Sequence, residues 1–111
     1  MSTEVLRYTA FSTDPAGGNP AGVVLDASEL RDQDMQRIAA EVGYSETAFL
    51  TRTADRTYRV RYFSPLAEVD FCGHATVATS VALAERIGAG SLLFHTNTGD
   101  VAIETAPAPR P

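Results

Sequence analysis

Two stretches of the chain repeat their apolar residues at helical spacing, and they do so differently. Met35, Ile38, Ala39 and Val42 stand at i, i+3, i+4 and i+7, which draws one apolar stripe along a helix. Ser28 or Asp32 is the expected N-cap, and Gly43 fits the position just past the helix end. The stripe should cover a sheet while Arg31, Asp34 and Arg37 face water. In residues 75–87 the apolar positions Ala75, Val77, Ala78, Val81, Ala82, Leu83, Ala84 and Ile87 surround nearly the whole circumference. The polar breaks are Thr76, Thr79 and Ser80, all small. A helix apolar on all sides is buried on all sides, so this one is expected at the centre of the fold. Gly88 and Gly90 end it.

The rest of the pattern is that of strands. Residues 5–12, 21–25, 46–51 and 57–63 are rich in β-formers. In the last of these, Tyr58, Val60 and Tyr62 alternate with Arg59, Arg61 and Phe63, so the two sets face opposite ways. The two arginines are expected in solvent. Ser64-Pro65 ends that strand, and residues 66–73 form a loop or a short extended piece. Residues 91–97 and 101–105 read as two strands joined by a turn at Thr98-Gly99-Asp100, with His95 an ordinary strand residue. Residues 14–20 hold Pro15, Gly17, Gly18 and Pro20 and are expected to be a loop. The Pro-rich tail, residues 106–111, cannot join a ladder and is expected to be extended and mobile. The order ββαββαββ with one enclosed helix predicts an α+β fold. Its curved or barrel-like, mainly antiparallel sheet wraps around a central apolar helix, in one domain over residues 1–105.

Composition mainly excludes. A chain of 111 residues, 44% hydrophobic, suits one domain with a real core. A net charge of −5 with no basic stripe argues against nucleic acid as a partner. One cysteine forbids an intrachain disulfide and a multi-cysteine metal site. His74 and His95 lack metal-like spacing, so no metal and no cofactor are expected. The polar N-terminus resembles neither a signal nor a transit peptide, and no apolar run is long enough for a membrane. A cytoplasmic protein is the expectation.

The richest chemistry lies in Asp70-Phe71-Cys72-Gly73-His74-Ala75-Thr76, at the start of the second helix. A helix start offers unpaired N–H groups and a positive dipole end, and Gly73 lets backbone approach a ligand closely. A carboxylate or phosphate can dock there beside Cys72 and His74, which points to an enzyme for a small anionic molecule. Each residue also has a plainer reading. Cys72 is either a small buried hydrophobe or a thiol whose pKa the helix start lowers. His74 either caps the helix or contacts a ligand in its neutral form, since a cation there opposes the dipole. Asp70 caps the turn or helix, or is accessory to the site. Glu46 opens a strand in Ser45-Glu46-Thr47-Ala48-Phe49 and is either an exposed acid or a general acid/base held partly out of water. Asn19, in Gly17-Gly18-Asn19-Pro20-Ala21-Gly22, belongs to a tight turn or presents its amide to a substrate. The glycine spacing fits neither a phosphate loop nor a dinucleotide fingerprint.

Taken together, six segments resemble the phenazine-biosynthesis PhzF family. They are Tyr8-Thr9-Ala10-Phe11, Gly18-Asn19-Pro20-Ala21-Gly22-Val23, Met35-Gln36-Arg37-Ile38-Ala39, Ser45-Glu46-Thr47-Ala48-Phe49, Arg61-Tyr62-Phe63-Ser64-Pro65, and Asp70 to Thr76. They occur in family order. The resemblance implies a diaminopimelate-epimerase-like fold of two similar domains, each a curved sheet around a helix. It implies that Glu46 is the proton-shuttling carboxylate, and that Asn19, Gly73 and His74 contact substrate. Cys72 falls where related cofactor-free epimerases carry a catalytic cysteine and ranks below Glu46. The implied reaction is isomerisation by proton transfer without metal or organic cofactor. Family members are more than twice this length, with the site between two domains. The chain therefore reads as half a site, completed by a homodimer or by a complementary C-terminal-half chain. The other reading is a non-catalytic binding or assembly domain that keeps the scaffold.

Overall fold

A computed structural model describes residues 4–10 and 19–106. Most of the expected glycine-rich loop and nearly all of the Pro-rich tail lie outside those residues. The elements run β1 (Leu6–Ala10), β2 (Asn19–Val24), α1 (Asp32–Val42), β3 (Glu46–Ala54), β4 (Thr57–Phe63), β5 (Glu68–Val69), α2 (Gly73–Ile87), β6 (Gly90–Thr96) and β7 (Gly99–Thr105). All seven strands join one open sheet in the order β1-β2-β3-β4-β6-β7, with β5 also on β4. Pairs β2–β3 and β4–β6 are parallel and the other four antiparallel, so the sheet is mixed. Asn19 and Pro20 open β2 rather than belonging to the loop. The first residues of a strand tolerate proline because its missing N–H costs least there.

The sheet is covered on both faces. Ala48 and Leu50 of β3 join Tyr58, Val60 and Tyr62 of β4 and Leu92 and Phe94 of β6 under α2. Phe49 and Phe63 turn to the other face and pack with Met35, Ile38 and Ala39 of α1. Their rings meet edge to face at 5.5 Å. A central strand buried on both faces is apolar at consecutive positions, which is why residues 47–50 carry no outward polar residue. Gly22 of β2 is required here. A Cβ on it would lie 2.9 Å from Thr47 Oγ1, and Thr47 is itself fully buried.

α1 is the helix that the periodicity predicts, with its stripe buried and Gly43 left-handed at φ 76°. Its N-cap is Arg31, neither Ser28 nor Asp32. The Asp34 carboxylate accepts the Arg31 backbone N–H at 3.0 Å, while Ser28 hydrogen-bonds Asp26. Asp32 is instead taken by Arg61, which donates to it at 2.7 Å and to Glu68 through two nitrogens at 2.9 Å. Arg59 donates to the backbone carbonyls of Val60 and His95 and to Asn97. The two arginines are thus not simply solvated. They tie α1, β4, β5 and β6 together.

The Arg61 guanidinium holds Glu68 and Asp32 below the usual carboxylate range through its hydrogen bonds. Carboxylates depressed on folding contribute stability above their unfolded pKa and lose it as pH falls through the folded value. Stability should therefore decline below about pH 4.5 on account of this network. Arg61→Ala is expected to cost about 1 kcal/mol at neutral pH, and the difference from the parent should shrink as pH falls through the carboxylate range. Thermal midpoints measured across that range check it. A constant difference at all pH values would mean that Arg61 acts through packing on Phe63, 5.3 Å away, rather than through charge.

The second helix departs most from expectation. It starts two residues early, at Gly73, and it is not buried all round. Thr76, Thr79 and Ser80 are buried with Ala75, Ala78, Ala82 and Leu83, while Val77 is 38%, Val81 45% and Ile87 42% exposed. The small polar residues can be buried because their hydroxyls are satisfied within the helix. Thr76, Thr79 and Ser80 donate to the carbonyls four residues back, at 2.8, 2.7 and 2.8 Å. A short side chain with an internally bonded hydroxyl packs like alanine, so the inward face could be polar in sequence without cost. The sheet is open rather than closed into a barrel, and nothing among the described residues covers the outer stripe. α2 packs against β1, β2, β3 and β7.

Candidate functional site

The topology delivers three sequence-distant groups to one point. Parallel pairing of β2 with β3 sets Ala21 opposite Glu46, so Glu46 stands at the sheet end where β2 begins. β4 runs antiparallel to β3 and ends beside Thr47. The chain then folds back through residues 64–67 into β5, where Val69 pairs Tyr62. Three residues later Cys72 takes the position just before α2. Its Sγ donates to Glu46 Oε1 at 3.3 Å and lies 3.3 Å from His74 Nδ1. His74 Nε2 is 3.3 Å from the same Glu46 oxygen. The Glu46 and His74 side chains are 20% and 18% exposed, which leaves both reachable from solvent.

The framework behind these groups is rigid. Tyr62 Oη and Thr76 Oγ1 share a buried hydrogen bond of 2.7 Å. Thr76 donates in turn to the Cys72 carbonyl at 2.8 Å, and its backbone N–H donates to the same oxygen at 3.0 Å. Phe71 rests its ring edge on Tyr62 at 5.7 Å. The sequence reading missed Tyr62 and Thr76. No local signal pairs them, since periodicity cannot show that a strand tyrosine reaches a helix threonine.

No side chain caps α2, and the first helical hydrogen bond runs from Thr76 to Cys72. The N–H groups of Gly73, His74 and Ala75 therefore have no partner within the helix, as an anion-binding helix start requires. No heavy atom lies within 4 Å of where a Gly73 Cβ would stand, so space is open there. The expectation that this position lowers the Cys72 pKa is overturned. Burial pushes the thiol up first, and the nearby Glu46 adds to this. The amides of Ala75 and His74 pull the other way without prevailing. Cys72 therefore sits at the site as a protonated thiol that donates to a carboxylate. Asp70 is exposed in a bend before the helix and does not cap it. Asn19 opens β2 at the same end of the sheet, two residues before the partner of Glu46. Its side chain lies outside the described residues.

A separate apolar groove lies away from these groups. About 860 Å³ in volume, it runs along the outer face of α2 beside β7, lined by Val77, Val81, Ala84, Ile103 and Thr105 among others. Among the described residues no helix is long and apolar enough to cross a membrane.

Residues 8–109 match the PhzC-PhzF family, described as "Phenazine biosynthesis-like protein". An uncharacterized isomerase of Deinococcus radiodurans is 55% identical over 83 residues, covering 75% of this chain and 27% of that protein. An uncharacterized isomerase of Escherichia coli K12 is 47% identical over 91 residues, covering 82% and 31%. Among solved structures, a PhzF-family phenazine biosynthesis protein of Bacillus anthracis superposes with a TM-score of 0.83 at 45% identity, over 94% of this chain and 36% of that one. A predicted epimerase of Pseudomonas aeruginosa gives 0.88 at 28% identity, over 96% and 39%. The chain thus spans between about a quarter and two fifths of the length of these proteins.

Proposed function

The chain belongs to the PhzC-PhzF family of phenazine biosynthesis-like proteins, and from that premise we propose that it is the proton-transferring part of a cofactor-independent isomerase. The substrate is a small molecule bearing a carboxylate. The observation that carries this reading is the convergence of Glu46, Cys72 and His74 on one point in front of an uncapped helix. The substrate carboxylate binds at the start of α2, on the Gly73 N–H and, in competition with the Cys72 sulfur, on those of His74 and Ala75, with Asn19 contributing from the β2 side. The Glu46 carboxylate takes a proton from an activated C–H. The electron pair left on carbon spreads into the conjugated system of the substrate, and the proton returns from Glu46 to a different carbon. Cys72 holds the carboxylate oriented by its S–H donation, and His74 lines the same pocket from the other side. The test is Glu46→Gln, whose expected outcome opens the Discussion.

Half of this site comes from elsewhere. Glu46 and His74 open to water, whereas moving a proton between carbons needs a cavity that excludes it. In this reading a second domain or subunit closes over the site and brings a further acid. Further strands complete the domain by closing the sheet around α2 and covering Val77, Val81 and Ile87. The apolar groove and the outer edges of β1 and β7, which pair with no strand among the described residues, favour association, since exposed strand edges and apolar patches pair. Sedimentation velocity at micromolar concentration is expected to show a dimer, or a complex when a complementary C-terminal-half chain is added. A single species with the mass of one chain under both conditions would overturn this part. A domain that keeps the scaffold only for binding or assembly is the competing reading, favoured by the groove. It requires that Glu46 be dispensable.

A further inference from the structure

We propose that Glu46, Cys72 and His74 form a binding site for a soft divalent cation of the zinc class. The three residues bring one carboxylate oxygen, one sulfur and one imidazole nitrogen within 4.8 Å of one another. Sγ to Oε1 is 3.3 Å, Oε1 to His74 Nε2 is 3.3 Å, and Sγ to Nε2 is 3.9 Å. A tetrahedral zinc ion with ordinary bond lengths separates such donors by about 3.3–3.6 Å. The free chain therefore already holds the three donors nearly at the edges of one face of that tetrahedron. The sulfur–nitrogen edge must contract and the sulfur–oxygen edge lengthen, each by a few tenths of an ångström.

The donor set also suits the ion in kind. Thiolate and imidazole select zinc over magnesium or calcium, which prefer all-oxygen shells. Binding breaks the Cys72 S–H bond, forms a sulfur–metal bond and releases one proton to solvent, with no change in oxidation state. The thiolate and the Glu46 carboxylate then neutralise the double charge of the ion, so the occupied site carries no net charge in a half-buried place. Three protein ligands leave one position open, as in catalytic rather than structural zinc sites. The ligands sit on a strand end and a helix start, elements that other interactions already fix, so little ordering is left to be done on binding.

An ion held there occupies the carboxylate oxygen that would accept the proton, which makes it an inhibitor of turnover. That consequence rests on the isomerase reading, whereas the binding itself does not. The two are separated by measuring binding without substrate. The probe is cobalt(II) alone, titrated into the chain and followed by absorption. We expect one ion per chain, a tetrahedral visible spectrum and a sulfur-to-cobalt band in the near ultraviolet. Because Cys72 is the single cysteine, that band reports on it unambiguously. Zinc should displace the colour, since it binds such donors more tightly. Glu46→Gln and His74→Ala should each weaken binding by ~10-fold or more. His95→Ala should leave it unchanged, with far-ultraviolet circular dichroism confirming that each variant is folded. Absence of the sulfur band in the parent overturns the site. So does one ion per two chains, which means bridging between copies, or retention of full affinity in both folded variants. If neither variant folds, the parent's band and stoichiometry decide alone.

Discussion

Glu46→Gln is expected to lower turnover by ~10²-fold or more in the assembled protein while substrate affinity changes little. The amide keeps the shape and can still receive the Cys72 hydrogen bond, but it neither accepts nor returns a proton. Because the loss is confined to the transition state, it should appear in kcat rather than in KM. Cys72→Ser should hurt less, since a hydroxyl still donates to the carboxylate and no proton transfer depends on the sulfur. Steady-state kinetics on the parent and both variants, with the complementary half present, give the comparison. Equal turnover of Glu46→Gln and the parent would sink the mechanism and leave the binding or assembly domain as the better reading. A larger loss for Cys72→Ser than for Glu46→Gln would transfer the proton-carrying role to the thiol.

The second large effect concerns the sidedness of α2. Leu83 is 2% exposed and packs into the core beneath the helix, whereas Val81 is 45% exposed two positions away. Leu83→Ala should destabilise the chain by about 2–5 kcal/mol, through lost transfer energy and the cavity left behind. Val81→Ala should stay within about 0.5 kcal/mol, as surface changes usually do. Urea unfolding of the two variants, compared at equal chain concentration, decides the matter. Similar losses at both positions would mean that the outer stripe is already covered in solution, and the association experiment would then identify the cover.

The sequence carried the elements and named the residues of the candidate site. Alternation in 57–63 and the single stripe of α1 are local consequences of strand and helix periods, and residues such as Tyr58, Val60, Met35 and Ile38 fell where those periods put them. Six ordered segments were enough to reveal the family. Glu46, Cys72 and His74 could be nominated because their residue types and the neighbouring Gly73 are chemically unusual together. What the chain could not disclose alone is anything set by long-range pairing. The parallel register of β2 with β3 and the return of β5 along β4 bring Glu46 within 3.3 Å of a sulfur 26 positions later. No local period encodes that. The direction of the Cys72 shift was set by burial first, with the Glu46 carboxylate adding to it, against the pull of the amides at the helix start. The inward face of α2 was misjudged for a related reason. Apolar residues all round leave the hydrophobic effect without a preferred side, and the choice fell to fit against the sheet. Three short hydroxyl side chains, each bonded to its own helix, are buried there while Val77 and Val81 stay exposed.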